Sequence, residues 1–208
     1  MSPVDNGDCP APLSGISHEL GGLPLLEAVA VVLAVTYLAL AVRQNRACFI
    51  AAFASTAIYV GLSFNVALPM HSALNVFYMG MAAYGWYSWR RDGAMPLPVT
   101  VWPWPVHAAA IAAIGGGGWL AAALLSPSFS PALPLLDSWT TLGAVWATLL
   151  LTRKELTHWL YWIVIDAGLV YMFVQSCLWL TAGLYVVYLA MIPFGIANWH
   201  RDWNRAAA

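Results

Sequence analysis

The sequence predicts an all-α membrane protein of seven transmembrane helices, arranged 3+1+3 as two parallel repeats with one helix between them. Three observations predict this. Of 208 residues, 62% are hydrophobic and 8% are charged, with a mean hydropathy of +0.73. No soluble domain of this size can hide so much apolar surface. Seven apolar segments cover residues 24–42, 47–64, 69–89, 103–125, 134–152, 157–175 and 178–199, near the length a helix needs to cross a hydrocarbon core. Two blocks of the chain also match in residue type at an offset of 110 positions.

Residues 1–23 carry Asp5, Asp8, His18 and Glu19, several Pro and Gly, and no Lys or Arg. With no basic start and no early apolar run, this stretch reads as an extracytoplasmic tail with one short ordered piece at most, not a cleavable signal. The second segment is the shortest. Pro69, Pro103 and Pro134 open their segments, where a missing N–H costs nothing. Gly115 to Gly118 interrupt the fourth, which marks either close backbone packing or a hinge. Cys9, Cys48 and Cys177 show no C-x-x-C spacing, so neither a disulfide framework nor a zinc site is expected.

The basic residues set the orientation. Arg43 and Arg46 follow the first segment, Arg90 and Arg91 the third, Arg153 and Lys154 the fifth, and Arg201 and Arg205 the seventh. The other connections carry none. The side holding all eight is cytoplasmic by the positive-inside rule, so the N-terminus lies outside and the C-terminus inside. A net charge of −1 gives no reason to expect nucleic acid as a partner.

The offset of 110 pairs Glu27 with Asp137, Arg43 with Arg153, Tyr78 with Tyr188, Gly85 with Gly195, Trp89 with Trp199, Arg91 with Arg201 and Asp92 with Asp202. One gapless offset aligning seven pairs is not chance. It divides the chain into the tail, a first repeat over 24–92, a linker with helix four over 93–133, a second repeat over 134–203 and a short cytoplasmic tail over 204–208. An odd number of intervening spans gives both repeats the same orientation, related by an axis along the membrane normal. Parallel repeats of this kind characterise transporters whose substrate sits near the midplane between halves.

The expected site centres on His158-Trp159-Leu160-Tyr161-Trp162-Ile163-Val164-Ile165-Asp166. His158, Trp162 and Asp166 follow at helical spacing on one face, with Trp159 on the same side. Asp166 lies about nine residues into its segment, or roughly 13 Å at helical rise. A carboxylate at that depth costs roughly 2.5–3.5 kcal/mol on insertion scales, so it must face a cavity or a partner. Indoles beside an acid suit a flat, cationic or polar aromatic molecule. The plainer reading makes the tryptophans interfacial anchors and Asp166 a helix–helix hydrogen-bonder, but Trp162 is too deep for an aromatic belt. Asn75 and Tyr78 in the third segment, and Tyr185 and Tyr188 in the seventh, reach the same depth. The repeats diverge most here: Trp159, Trp162 and Asp166 stand opposite Phe49, Ala52 and Thr56, as an asymmetric ligand requires.

Leu74-Asn75-Val76-Phe77-Tyr78, Tyr84-Gly85-Trp86-Tyr87-Ser88-Trp89, Trp159-Leu160-Tyr161-Trp162 with Asp166, and Leu180-Thr181-Ala182-Gly183-Leu184-Tyr185 resemble the PnuC family of nicotinamide riboside transporters over about residues 24–203. Glu27 and Asp137 fall where that family has acids opening each half. The resemblance implies seven helices in a SWEET-like 3+1+3 architecture, residence in the bacterial inner membrane, assembly as a homotrimer and no cofactor. It implies facilitated diffusion of nicotinamide riboside, trapped on the cytoplasmic side by a phosphorylating kinase. It places the substrate on Trp159 and Trp162. Asn75 stands where a Gln is usual and His158 where an Asn is usual, so the chain departs from the pattern at the site itself. Relatives carry thiamine or riboflavin, and thiamine is also a cationic aromatic.

An intramembrane enzyme is the main competing class. The sequence carries no H-E-x-x-H, G-x-S-x-G or phosphate-binding Gly-Lys motif. His18, His71, His107, His158 and His200 show no ligand spacing, so neither catalytic nor metal residues are expected. A scaffold would need no midplane acid. Trp102, Trp104, Trp139 and Trp199 read as belt anchors, Glu27 and Asp137 as helix N-terminal charges or outer gates, and Arg201-Asp202 as a surface pair.

Overall fold

A computed structural model of the chain describes residues 24–65, 69–89, 97–129, 134–175 and 179–207. The expected tail over 1–23, Arg90, Arg91, Asp92, Cys177 and the side chain of Glu27 lie outside the described residues. Among the described residues there are seven helices: α1 Pro24–Val42, α2 Cys48–Asn65, α3 Pro69–Trp89, α4 Trp104–Phe129, α5 Pro134–Thr152, α6 His158–Gln175 and α7 Trp179–Ala207. A single bridge between Thr100 and Glu155 is the only β-pairing among them. Prolines open α1, α3 and α5, as their fixed φ and missing N–H allow.

The surface inverts the soluble pattern. Val32, Val164 and Phe194 are 64%, 73% and 69% exposed, while Asn75, His158 and Asp166 are buried. A lipid solvent rewards that arrangement, because apolar side chains are at home outside and polar groups must find partners inside. The stretches Trp104–Leu124 in α4 and Thr181–Arg205 in α7 are long and apolar enough to cross a membrane.

Helix bounds and contacts recur at the offset of 110. The starts of α1, α2 and α3 fall 110 residues before those of α5, α6 and α7. The α1–α2 and α5–α6 connections use the same cap. Gln44 N–H bonds the Ala41 carbonyl and Asn45 N–H that of Leu40; Lys154 N–H bonds that of Leu151 and Glu155 N–H that of Leu150. This is the Schellman pattern, which needs a left-handed residue after the last helical one. Gln44 and Lys154 both take φ 53° there. Besides neighbours in sequence, α1 packs on α7 and α3 on α5. The Trp199 indole N–H donates to the Ala41 carbonyl at 3.0 Å, and that of Trp89 to the Thr152 carbonyl at 3.2 Å.

Two sequence expectations change, at Trp199 and at the Arg201–Asp202 pair. Trp199 is fully buried in the core rather than anchored at an interface, because α7 runs on through Pro193 to Ala207 and the residue is not at a helix end. That continuation also makes residues 204–207 helical. Asp202 pairs with Arg205 at 3.2 Å and accepts from Gln44 at 2.8 Å, while Arg201 turns to Asn198. The glycine run does not break α4. It receives the ring of Trp139, whose N–H donates to the Gly115 carbonyl at 3.1 Å, and a side chain at Gly118 would collide with that ring.

The segment before α4 is laced to the α5–α6 connection. Thr100 N–H bonds the Lys154 carbonyl and Leu156 N–H that of Thr100. Glu155, fully buried, accepts from Trp102 N–H at 3.2 Å and from the Thr157 hydroxyl at 2.6 Å. These bonds satisfy a carboxylate that burial would otherwise penalise.

Candidate substrate site

A cavity of about 250 Å³ lies between α1, α2, α3, α5, α6 and α7, and no described residue of α4 lines it. α6 sets Trp162 and Asp166 on the cavity wall one turn apart, as their spacing dictates. α7 contributes Tyr185 and Tyr188, α3 contributes Tyr78, and α2 contributes Thr56 and Tyr59. Tyr185 and Tyr188 meet edge to face at 5.5 Å, and Phe173 stacks behind Tyr185 at 5.5 Å. The Thr56 hydroxyl donates to the Ala52 carbonyl at 2.8 Å, which leaves its lone pairs free to accept.

A smaller cavity of about 70 Å³ adjoins it, sharing Tyr37, Leu151, Trp162, Asp166 and Tyr188 and adding His158 and Trp159. His158 is clasped between Trp159 at 4.5 Å and Trp199 at 4.6 Å. Its Nδ1 lies 2.6 Å from the Glu155 carbonyl. That nitrogen therefore carries a proton, since a carbonyl only accepts. Nε2 has no hydrogen-bond partner among the described residues.

Of the expected site residues, Tyr78, Trp162, Asp166, Tyr185 and Tyr188 share the larger cavity, and His158 and Trp159 line the smaller. Asn75 is buried but is in neither lining. Tyr37 and Tyr59 join the site unforeseen. Each is a lone mid-span tyrosine facing Ala147 or Leu169 under the repeat, so symmetry gave no signal. Depth did, because a hydroxyl in mid-membrane needs a partner or a cavity.

Asp166 decides what the site can do. Its carboxyl is buried, and Oδ1 has no hydrogen-bond partner among the described residues. No Lys or Arg is among the residues lining either cavity. An acceptor with no protein partner, ringed by tyrosine hydroxyls and one indole, is matched by a ligand with a cation or donor on an aromatic ring.

The family model for nicotinamide mononucleotide transporters matches residues 24–201. The chain belongs to that family. The match spans every residue lining the two cavities. Among curated family relatives, the chain is 24% identical to the nicotinamide riboside transporter PnuC of Escherichia coli, over 90% of this chain and 89% of that one. It is 27% identical to the riboflavin/roseoflavin transporter RibM of Streptomyces davaonensis, over 62% of this chain and 61% of that one. Its fold is that of the vitamin B3 transporter PnuC crystal structure, with TM-score 0.72 at 19% identity, covering 93% of this chain and 88% of the other. As a transporter-family member with this fold, the protein is a membrane protein.

Proposed function

We propose that this protein carries nicotinamide riboside across the bacterial inner membrane by facilitated diffusion. The observation that carries the reading is the unpartnered Asp166 Oδ1 in an aromatic cavity between the two three-helix blocks. A pyridinium ring could stack on Trp162 with its charge toward that carboxylate, and the tyrosines would take the ribose hydroxyls. The E. coli relative is named for this substrate and is similar over most of both chains.

In the proposed architecture, residues 24–92 and 134–202 are two parallel units related by an axis along the membrane normal, SWEET-like, with α4 outside the symmetry. The recurrence of helix bounds, caps and tryptophan bonds at one offset supports it. The N-terminus faces out and the C-terminus the cytoplasm, a homotrimer is the assembly, and a cytoplasmic kinase traps the substrate by phosphorylation.

Riboflavin is the second reading, favoured by the RibM similarity; thiamine, a cationic aromatic, is the third. Titration of the purified protein with all three, followed by uptake into vesicles holding no kinase, tests the proposal. Nicotinamide riboside should bind and equilibrate without concentrating when no ion gradient is imposed. Accumulation driven by a pH gradient refutes diffusion, and binding of riboflavin alone refutes the cationic substrate.

A further inference from the structure

We propose that Lys154 and Gln44 are the latch of a gate that closes the cavity at its basic end. The inference rests on the transporter reading, since a gate needs a passage. The small cavity ends on His158 and Trp159. Beyond them, contacts run unbroken to the α5–α6 connection: Trp159 meets Trp199 at 5.8 Å, Trp199 meets Trp89 at 6.0 Å, and the Lys154 ammonium sits 4.7 Å over the Trp89 ring.

The last two of these contacts, Trp199 with Trp89 and Lys154 with Trp89, join one repeat block to the other. Trp89 and Trp199 are equivalent positions in contact with one another. So are Gln44 and Lys154, where Nζ donates to Oε1 at 3.2 Å across 110 residues. A pair of equivalent residues touching each other lies on the line between the blocks, where the blocks must part for anything to leave. Gln44 is in turn held by Asp202 at 2.8 Å. The matching caps fix both backbones in the left-handed conformation, so their side chains are aimed rather than free.

The chemistry suits a bond that breaks and re-forms. The indole N–H groups of Trp89 and Trp199 donate to helix-end carbonyls deep in the contact, so their loss leaves buried polar groups. Lys154 lies in the α5–α6 connection and Gln44 in the α1–α2 connection. Once separated, an ammonium and an amide are rehydrated there, so opening at this pair strands nothing.

The test uses the full chain in liposomes, with Cys9, Cys48 and Cys177 replaced by alanine and Ala52→Cys as a reporter in the larger cavity. A membrane-impermeant maleimide is applied from the face bearing the basic connections. Lys154→Met and Gln44→Ala should each label about tenfold faster than the parent, the factor expected from losing one ordinary hydrogen bond. Lys154→Arg should restore the parent rate, and the double variant should be no faster than either single one. Gln44 is only half-buried, so its variant decides the matter if Lys154→Met fails to fold. Unchanged labelling, or a lower melting temperature with unchanged labelling, makes the pair a static brace and overturns the latch. Labelling needs no substrate, so a parent that carries none of the vitamins sinks the transporter reading while the latch is still decided.

Discussion

Trp159 rests the edge of its indole on Gly195, where an added Cβ would fall 2.5 Å from Cζ2. Phe49 makes the equivalent contact on Gly85, closer still. Both rings are buried in the core at the cavity walls, Phe49 at the larger and Trp159 at the smaller, and the dense packing behind them resists displacement. Gly195→Ala and Gly85→Ala should each destabilise the protein by about 1–3 kcal/mol, the usual cost of overpacking. Gly80 and Gly183 have open space around the same position, so alanine there should leave stability level or slightly higher. Thermal unfolding in detergent separates the two pairs; four equal shifts would show that ring seating is not what these glycines provide.

Much of the fold was legible because it is written twice. Helix starts announced themselves through Pro69, Pro103 and Pro134, and the offset of 110 paired Trp89 with Trp199 before any contact was known. What symmetry could not report was direction. Trp199 near the end of an apolar segment looked interfacial, yet α7 continues past it and turns it inward. Asn75 lies one turn before Tyr78 on the same side of α3, yet it is buried and lines neither cavity, so depth and face together do not fix which side chains reach open space. Glu155 and His107 were invisible for a different reason. Their approach, 3.9 Å between Nε2 and Oε1, depends on the segment before α4 pairing with the α5–α6 connection, and nothing local encodes that pairing.

Lys154 should give the protein a pH signature. Burial holds its ammonium below the usual 10.5, with Asp202 and then Cys48 opposing the shift in part; Gln44 and Trp89 face it without titrating in this range. The folded state therefore loses this proton first as pH rises. Between the lowered value and 10.5 the unfolded chain binds more protons, so this group makes stability rise with pH across that window. The melting temperature of the wild type should gain on that of Lys154→Met as pH rises through the lowered value toward 10.5. A difference that stays flat, or narrows, contradicts the sign.

Asp166→Asn separates charge from shape. The amide keeps the volume and removes a carboxylate that is costly at mid-membrane, so the variant should fold at least as well as the wild type. Its effect should depend on the ligand: affinity for a cationic ring falls, while affinity for neutral riboflavin is unchanged or improved. Titrating both compounds against both proteins gives the answer, and an equal loss for the two would assign Asp166 a structural task instead.

Trp162 is the wall on which the substrate ring is expected to lie. It lines both cavities and bridges the two buried clusters of the core, so its indole is held on one side by protein and open to the cavity on the other. Stacking on an aromatic side chain contributes roughly 1–3 kcal/mol per base-like ring. At about 1.4 kcal/mol per factor of ten, Trp162→Ala should weaken binding by about 10- to 100-fold. Trp162→Phe keeps a smaller face and should recover part of that loss. Trp159→Ala is the instructive contrast, because Trp159 is buried against Gly195, His158 and Trp199 and borders only the smaller cavity. Its removal should cost about 3–5 kcal/mol of stability, as large core truncations do, with the loss seen first in melting temperature and only secondarily in affinity. Calorimetric titration beside thermal unfolding resolves the pair. If Trp162→Ala binds whichever vitamin the wild type binds with undiminished affinity, the ring lies elsewhere.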